Sequence, residues 1–406
     1  MQMNVLFLTN LLPYPLDNGG KIKTYTTLQA LKKASHKVDL VCFKESTNSY
    51  LSEEKELSQV CNSVHQVYQK LTTAENRTYM AKLAVKSLFS KLPLSTYKFI
   101  SKEMEEYLKS KKDINYELIY FDHLPLYVYH KTCKAIWPNA KVILDEHNCE
   151  ATIMRRNAET AQHPIRRVFM SYEALKVSRF ESKALLSADK SIILSMEDYK
   201  TLRSATGKDF DYSIIPIGVM DRGIRKEHEA TDDILNILFV GTLTWEPNNQ
   251  GLIWFIENVI PLMESDKMKY HLYIVGKNPS EEVVETTKSN KKITVTGYVD
   301  SVDDYYDLCD CMIVPLFIGS GQRVKLIEAF SKGMPAISTT IGAEGLEYIN
   351  GETILIADNK NEFMSSISSL TDKQKQRNIG NRARSIYDRY YSYNAIEELF
   401  RQAISF

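Results

Sequence analysis

The hydrophobic residues fall in short runs, separated by segments whose apolar positions recur at helical spacing. Asn4-Val5-Leu6-Phe7-Leu8-Thr9 is apolar at successive positions, which predicts a strand buried on both faces of a parallel sheet. Asp17-Asn18-Gly19-Gly20 then turns the chain, and Ile22, Tyr25, Leu28 and Leu31 follow at helical spacing up to Lys33. Val38 to Phe43 completes a strand, glycine loop, helix and strand unit. Runs at 118–121, 141–144 and 191–195 continue the series, and Ser213 to Gly218 ends one more strand. Residues 221–233 are charged and lack apolar periodicity, so they read as a linker. The same grammar restarts at Ile237 to Gly241 with a helix over about 252–263, then Tyr270 to Gly276, Ile293 to Gly297, Met312 to Pro315 and Pro335 to Ser338. A last helix is expected over about 394–405. The pattern predicts an α/β chain of two Rossmann-like, doubly wound domains, 1–215 and 216–393, with the helix over 394–406 joining the first. Two strands end in Val-Gly and one in Thr-Gly, suited to tight turns at the carboxyl edge where such sheets bind ligands. Two such domains facing each other would bury a ligand in the cleft between them.

Composition narrows the class without naming the ligand. The 406 residues include 51 Lys plus Arg and 51 Asp plus Glu, a balance that argues against nucleic acid as partner. Residues 1–215 nevertheless carry 31 cations against 24 acids, and the remainder 20 against 27. The six cysteines are spread through a long chain, with no disulfide framework, and read as reduced thiols of a cytoplasmic protein. Cys309 and Cys311 alternate into the run Met312-Ile313-Val314 as buried strand residues. No run approaches 18 apolar residues, so no membrane-spanning helix is expected.

The most informative stretch is Pro315 to Pro335. A strand ends at Pro315, Gly319-Ser320-Gly321 turns, and a helix starts near Gln322 with Arg323 and Lys325 in its first turn. Free N–H groups and the helix dipole there favour an anion, and cations are unfavourable for the helix itself. That conflict points to an anionic ligand such as a diphosphate, although the same side chains would also suit a solvated surface. Glu328, one turn on, could accept hydrogen bonds from a diol such as a ribose.

Gly-Ser-Gly-Gln-Arg-Val-Lys-Leu-Ile-Glu-Ala (319–329), followed by Lys332-Gly-Met-Pro-Ala-Ile-Ser-Thr, resembles the donor-site signature of GT-B glycosyltransferases of family 4. Phe239 to Asn248 and Thr340 to Leu346 resemble further segments of that family, strongly over about 235–360. The early glycine loop, Asp145-Glu146-His147-Asn148 and Ile215 to Val219 extend the likeness more weakly into the first half. The resemblance implies a retaining hexosyltransferase that uses a nucleotide-sugar, a UDP-hexose, without metal or other cofactor. Its acceptor would be a saccharide or a lipid-linked saccharide in cell-surface polysaccharide or glycolipid synthesis. Arg323 and Lys325 would neutralise the diphosphate, Glu328 would hold the ribose, and Gly319, Ser320 and Gly321 would line the donor. Gly19 and Gly20 would approach the donor phosphate and sugar, Tyr298 and Val299 would meet the base through their backbone, and His147 would stand near the sugar. Two departures stand out. The family's first paired glutamate falls on Ser320, and its Arg and Lys near the start of the second domain are absent from Gly241 to Asn249. A catalytically silent binding subunit and a nucleotide-sugar epimerase are the rival readings. His123 is a weaker case of the same kind as His147.

Residues 77–112 form a second feature, with nine cations against three acids and apolar residues interleaved. Arg155-Arg156 and Arg166-Arg167-Val168-Phe169 extend it. Such a stretch is either a solvated helical face or one that meets an anionic membrane surface, which would make the protein peripheral on the inner face of the membrane.

Overall fold

The computed structural model describes residues 2–44, 51–69, 76–161, 163–226, 234–319 and 321–405. The chain divides into two compact units, Met1–Ile217 with Ile396–Phe406, and Gly218–Ala395. The strands of the first unit are β1 (Asn4–Thr9), β2 (Lys37–Lys44), β3 (Ser63–Tyr68), β4 (Leu118–Asp122), β5 (Lys141–Asp145), β6 (Lys190–Ile193) and β7 (Tyr212–Ile214). Around them lie α1 (Gly19–Lys33), α2 (Leu51–Val60), α3 (Arg77–Leu88), α4 (Leu94–Tyr97), α5 (Lys102–Ser110), α6 (His130–Ile136), α7 (Glu150–Thr160), α8 (Pro164–Ser187) and α9 (Met196–Thr206). The sheet is parallel, in the order β3-β2-β1-β4-β5-β6-β7. The unbroken apolar runs reflect helices on both faces: Leu6 and Leu8 of β1 enter one core, Val5 and Phe7 the other.

The second unit repeats the plan with β8 (Leu235–Val240), β9 (Tyr270–Val275), β10 (Ile293–Gly297), β11 (Cys311–Val314), β12 (Ala336–Ser338) and β13 (Leu355–Ile356). Its parallel order is β10-β9-β8-β11-β12-β13. The helices are α10 (Glu246–Asn258), α11 (Ile260–Ser265), α12 (Glu281–Thr287), α13 (Asp303–Leu308), α14 (Val324–Ser331), α15 (Lys360–Ser369) and α16 (Lys373–Tyr390), with α17 (Tyr393–Ala403) joining the first unit from Ile396. Both sheets are the doubly wound, Rossmann-like arrangement that the periodicity predicts.

Local differences have physical reasons. β3 escaped the apolar pattern because it is an edge strand whose side chains are half-exposed except for buried Val67. The helix expected over 252–263 breaks at Val259, just before Pro261, which cannot donate to the preceding turn. Residues 221–226 are no linker. Arg384 pairs with Asp221 at 2.5 Å, Arg225 donates to the Cys309 carbonyl at 2.6 Å, and the Lys226 amide donates to Asp307 at 3.0 Å, so this segment is fastened to the second unit. Residues 227–233 lie outside the described residues.

Candidate active site

In each unit the strand order reverses direction once, at β1/β4 and at β8/β11, and loops leaving those strands diverge to opposite sides. Such switch points leave a crevice at the carboxyl ends of the strands. Gly19 and Gly20 follow β1, His123 follows β4, and Gly319 to Glu328 follow β11, whereas His147 lies after β5 and Tyr298 and Val299 after β10.

In the second unit, the loop after β11 brings Arg323 to the N-cap of α14 with extended backbone, and the helix starts at Val324, two residues later than expected. Arg323 is buried, and its guanidinium carbon lies 5.5 Å from the centroid of the Trp245 ring on the β8 loop. Gly319 has φ of 126°, and a Cβ there would sit 2.6 Å from Arg323 Nη2, so both conformation and space call for glycine. Lys325 points back under β8. Its Nζ donates to Asn248 Oδ1 at 2.9 Å and lies 5.0 Å from the Phe239 ring centroid. Asn248 Nδ2 donates to the Thr242 carbonyl at 2.9 Å, which turns Oδ1 toward the lysine. A Cβ on Gly241 would meet Asn248 Nδ2 at 2.6 Å and Lys325 Nζ at 2.8 Å. Burial, reinforced by Arg323 and opposed by Glu328, pulls the Lys325 ammonium down to about 7. Two cations are thus held side by side, in a place that an anion would relieve. Burial raises the Glu328 carboxyl, with Arg222 acting against it and Asp303 with it. Gln322 Nε2 donates to the Gly345 carbonyl at 2.7 Å, which braces the turn against the loop after β12. Tyr298 is 73% exposed just beyond β10 and Val299 half-buried. Ser320 lies outside the described residues.

The absent Arg and Lys of the β8 loop thus leave a structural answer. Asn248 and Trp245, neither singled out from the sequence, hold Lys325 and Arg323. Their only signal was position at the turn from β8 into α10.

In the first unit, Gly19 and Gly20 open α1, whose N-cap Asn18 accepts from the Lys21 amide at 3.0 Å. A Cβ on Gly20 would lie 3.6 Å from His123 Nε2, so the glycine turn and the end of β4 are neighbours. Asp122, fully buried, accepts from Thr9 Oγ1 at 2.6 Å and Thr24 Oγ1 at 2.8 Å. It also bonds His123 Nδ1 at 2.9 Å and His147 Nε2 at 2.8 Å. Burial alone would raise the Asp122 carboxyl, but the two histidines hold it well below its usual range. Burial and the nearby His123 pull His147 down to about 4, so it is the neutral imidazole, whereas Asp122 outweighs burial and raises His123. The two rings lie 3.6 Å apart, and His123 takes a φ of 77°, an unusual conformation for a non-glycine residue. Lys23 and Tyr120 both donate to buried Asp145. His147 is 6% exposed. The structure therefore joins His147, His123 and the glycine pair through Asp122, a residue whose only sequence signal was a carboxylate closing an apolar run. Asp122, His123 and His147 also have ligand atoms within 4.8 Å of one another, the one such cluster among the described residues.

Residues 235–373 match the family described as Glycosyl transferases group 1. Over its length the chain is 24% identical to an uncharacterized 44.6 kDa protein in the cps region of Klebsiella pneumoniae, covering 87% of each. The fold is similar to that of sucrose-phosphate synthase from Thermosynechococcus elongatus, with 18% identity, a TM-score of 0.70 and 98% of each chain covered. It is also similar to Anabaena HepE in complex with UDP and glucose, with 13% identity, a TM-score of 0.65 and the whole of both chains covered. These likenesses show the GT-B fold, and the segment that matches the group 1 glycosyl transferases, residues 235–373, is the one that carries Arg323 and Lys325.

Proposed function

We propose that this protein is a glycosyltransferase that moves a hexose from UDP to a saccharide or lipid-linked saccharide, with retention at the anomeric carbon, in the synthesis of a cell-surface polysaccharide or glycolipid. The observation that carries the donor assignment is the pair of cations at the start of α14, Arg323 buried against Gly319 and Lys325 half-buried against Gly241, each charge acting on the other. They would take the charge of the diphosphate as the glycosidic bond breaks. Glu328 would accept from the ribose hydroxyls, Tyr298 and Val299 would offer backbone to the base, and Gly319, Ser320 and Gly321 would line the phosphates. On the first unit, Gly19 and Gly20 approach the donor phosphate and sugar, and neutral His147, held by Asp122, hydrogen-bonds a sugar hydroxyl or orients the acceptor. No protein base, metal or other cofactor is invoked, because the departing phosphate can take the acceptor proton. The enzyme would work in the cytoplasm, at the inner face of the membrane. HepE, of similar fold, has been solved in complex with UDP-glucose, and another such protein, WaaB, is a lipopolysaccharide outer core galactosyltransferase.

A thermal-shift panel of UDP-, GDP-, ADP- and TDP-sugars tests the donor, since a ligand that binds the native state raises its apparent stability. A shift with a UDP-hexose that Arg323→Ala weakens by about tenfold or more is expected. A shift that Arg323→Ala leaves unchanged would remove the donor assignment.

A further inference from the structure

Helix α8 is built with its polarity reversed over its first half. Glu173 and Lys176 face inward, both buried, and pair at 2.6 Å. Lys176 Nζ also donates to the Ser87 carbonyl at 2.9 Å and Ser87 Oγ at 2.8 Å, while Glu173 accepts from the Leu94 amide at 2.6 Å. This network clamps α3 and α4 onto α8. The outward face instead carries Ile165, Val168, Tyr172 and Leu175, a stripe at helical spacing, with Ile165 76% and Val168 71% exposed. On α3, Val85 and Leu88 are exposed, and Phe89, which caps it, is 89% exposed. Leu88 joins Pro164, Ile165, Val168, Phe169 and Tyr172 around one depression of about 600 Å³. Charged groups kept inside while large apolar side chains stand outside mark a contact surface.

The charges around the stripe identify the occupant. Lys82, Lys86, Lys91, Arg166 and Arg167 are exposed, and no Asp or Glu occurs over residues 82–91 or 164–172. α8 also borders a groove lined by three cations, Arg155, Arg167 and Lys200, and one acid, Glu159. A second copy would bring like charges together, whereas phosphate headgroups over hydrocarbon match both features.

We propose that α3 and the first half of α8 form the face on which this protein docks to an anionic lipid surface, with the apolar stripe entering the interface and the five cations meeting the phosphates. This redraws the basic stretch read from the sequence. α5 does not take part, because Met104 and Leu108 are buried and Glu103 and Glu105 offset its lysines. The proposal draws on the glycosyl-transfer reading only for its purpose, access to a lipid-linked acceptor, and is tested without transfer.

The experiment is flotation of the full chain with phosphatidylcholine vesicles, with and without added phosphatidylglycerol. The wild type should float with the anionic vesicles only. Ile165→Ser with Val168→Ser, and Arg166→Glu with Arg167→Glu, should each lower partitioning by about tenfold or more, since each cation near such a surface is worth about fivefold. Lys102→Glu with Lys109→Glu on α5 should float like the wild type. Unchanged melting temperature and unchanged UDP-sugar binding establish that the variants are folded, and keep this result separate from the donor assignment. A wild type that does not float, α8 variants that float as it does, or a lipid-free dimer abolished by the apolar pair would overturn the proposal.

Discussion

If Lys325 holds the donor diphosphate, binding should weaken as the pH rises above neutral, a range over which an ordinary lysine stays charged. In the free protein the Lys325 ammonium is pulled down to about 7, chiefly by burial and then by Arg323, with Glu328 acting the other way. A diphosphate beside it supplies the missing counter-charge, and its pKa should return toward the normal range. Binding near neutral pH therefore takes up a fraction of a proton, and above it close to one. If the bound value reaches about 10.5, raising the pH from about 7 to about 9 weakens the nucleotide-sugar by about 50-fold, or about 2 kcal/mol. The diester phosphates of a nucleotide-sugar keep their charge over that range, so the protein supplies the effect. Calorimetry in two buffers of different ionisation enthalpy measures the uptake directly. Lys325→Arg, charged at every pH, should abolish the slope. The stability of the unliganded protein should run the opposite way: a lysine with a depressed folded pKa gives stability that is complete above about 10.5 and lost as the pH falls toward about 7. Tight binding that is independent of pH with no proton uptake would refute the reasoning.

Asn248→Ala removes the acceptor that fixes Lys325 Nζ at 2.9 Å, and should raise the donor Kd by about tenfold or more in calorimetry, the worth of a hydrogen bond to a charged group. Asp122→Ala strands four partners in a buried place, Thr9, Thr24, His123 and His147, and should lower stability in urea unfolding by about 3 kcal/mol or more.

The strands were legible because parallel strands buried on both faces leave continuous apolar runs, and β1, β4, β5 and β11 do so. β3 was not, since an edge strand needs no second apolar face. Arg323, Lys325 and Glu328 could be read because cations at a helix start contradict local electrostatics. Asp122 and Asn248 could not: each matters through partners more than 70 positions away in sequence, and neither breaks a local rule. The outward stripe of α8 was half visible. Arg166-Arg167-Val168-Phe169 drew notice, but which face of the helix is buried is decided by Ser87 and Leu94, on other elements.

The first unit is made of two separated pieces of chain, and that has a consequence for biosynthesis. Ile396, Phe400, Ala403 and Ile404 share one core with Val5, Phe7 and Leu28, Lys33 pairs with Glu397 at 2.8 Å, and Lys190 donates to the Ala403 carbonyl at 3.0 Å. While the ribosome makes residues 218–395, that core stays open along the flank that α17 will cover. The second unit is continuous and can close as soon as it emerges. Domains ordinarily complete in the order of synthesis; here the half that is made first is finished last, and its unsealed apolar flank is what a chaperone would meet on the nascent chain.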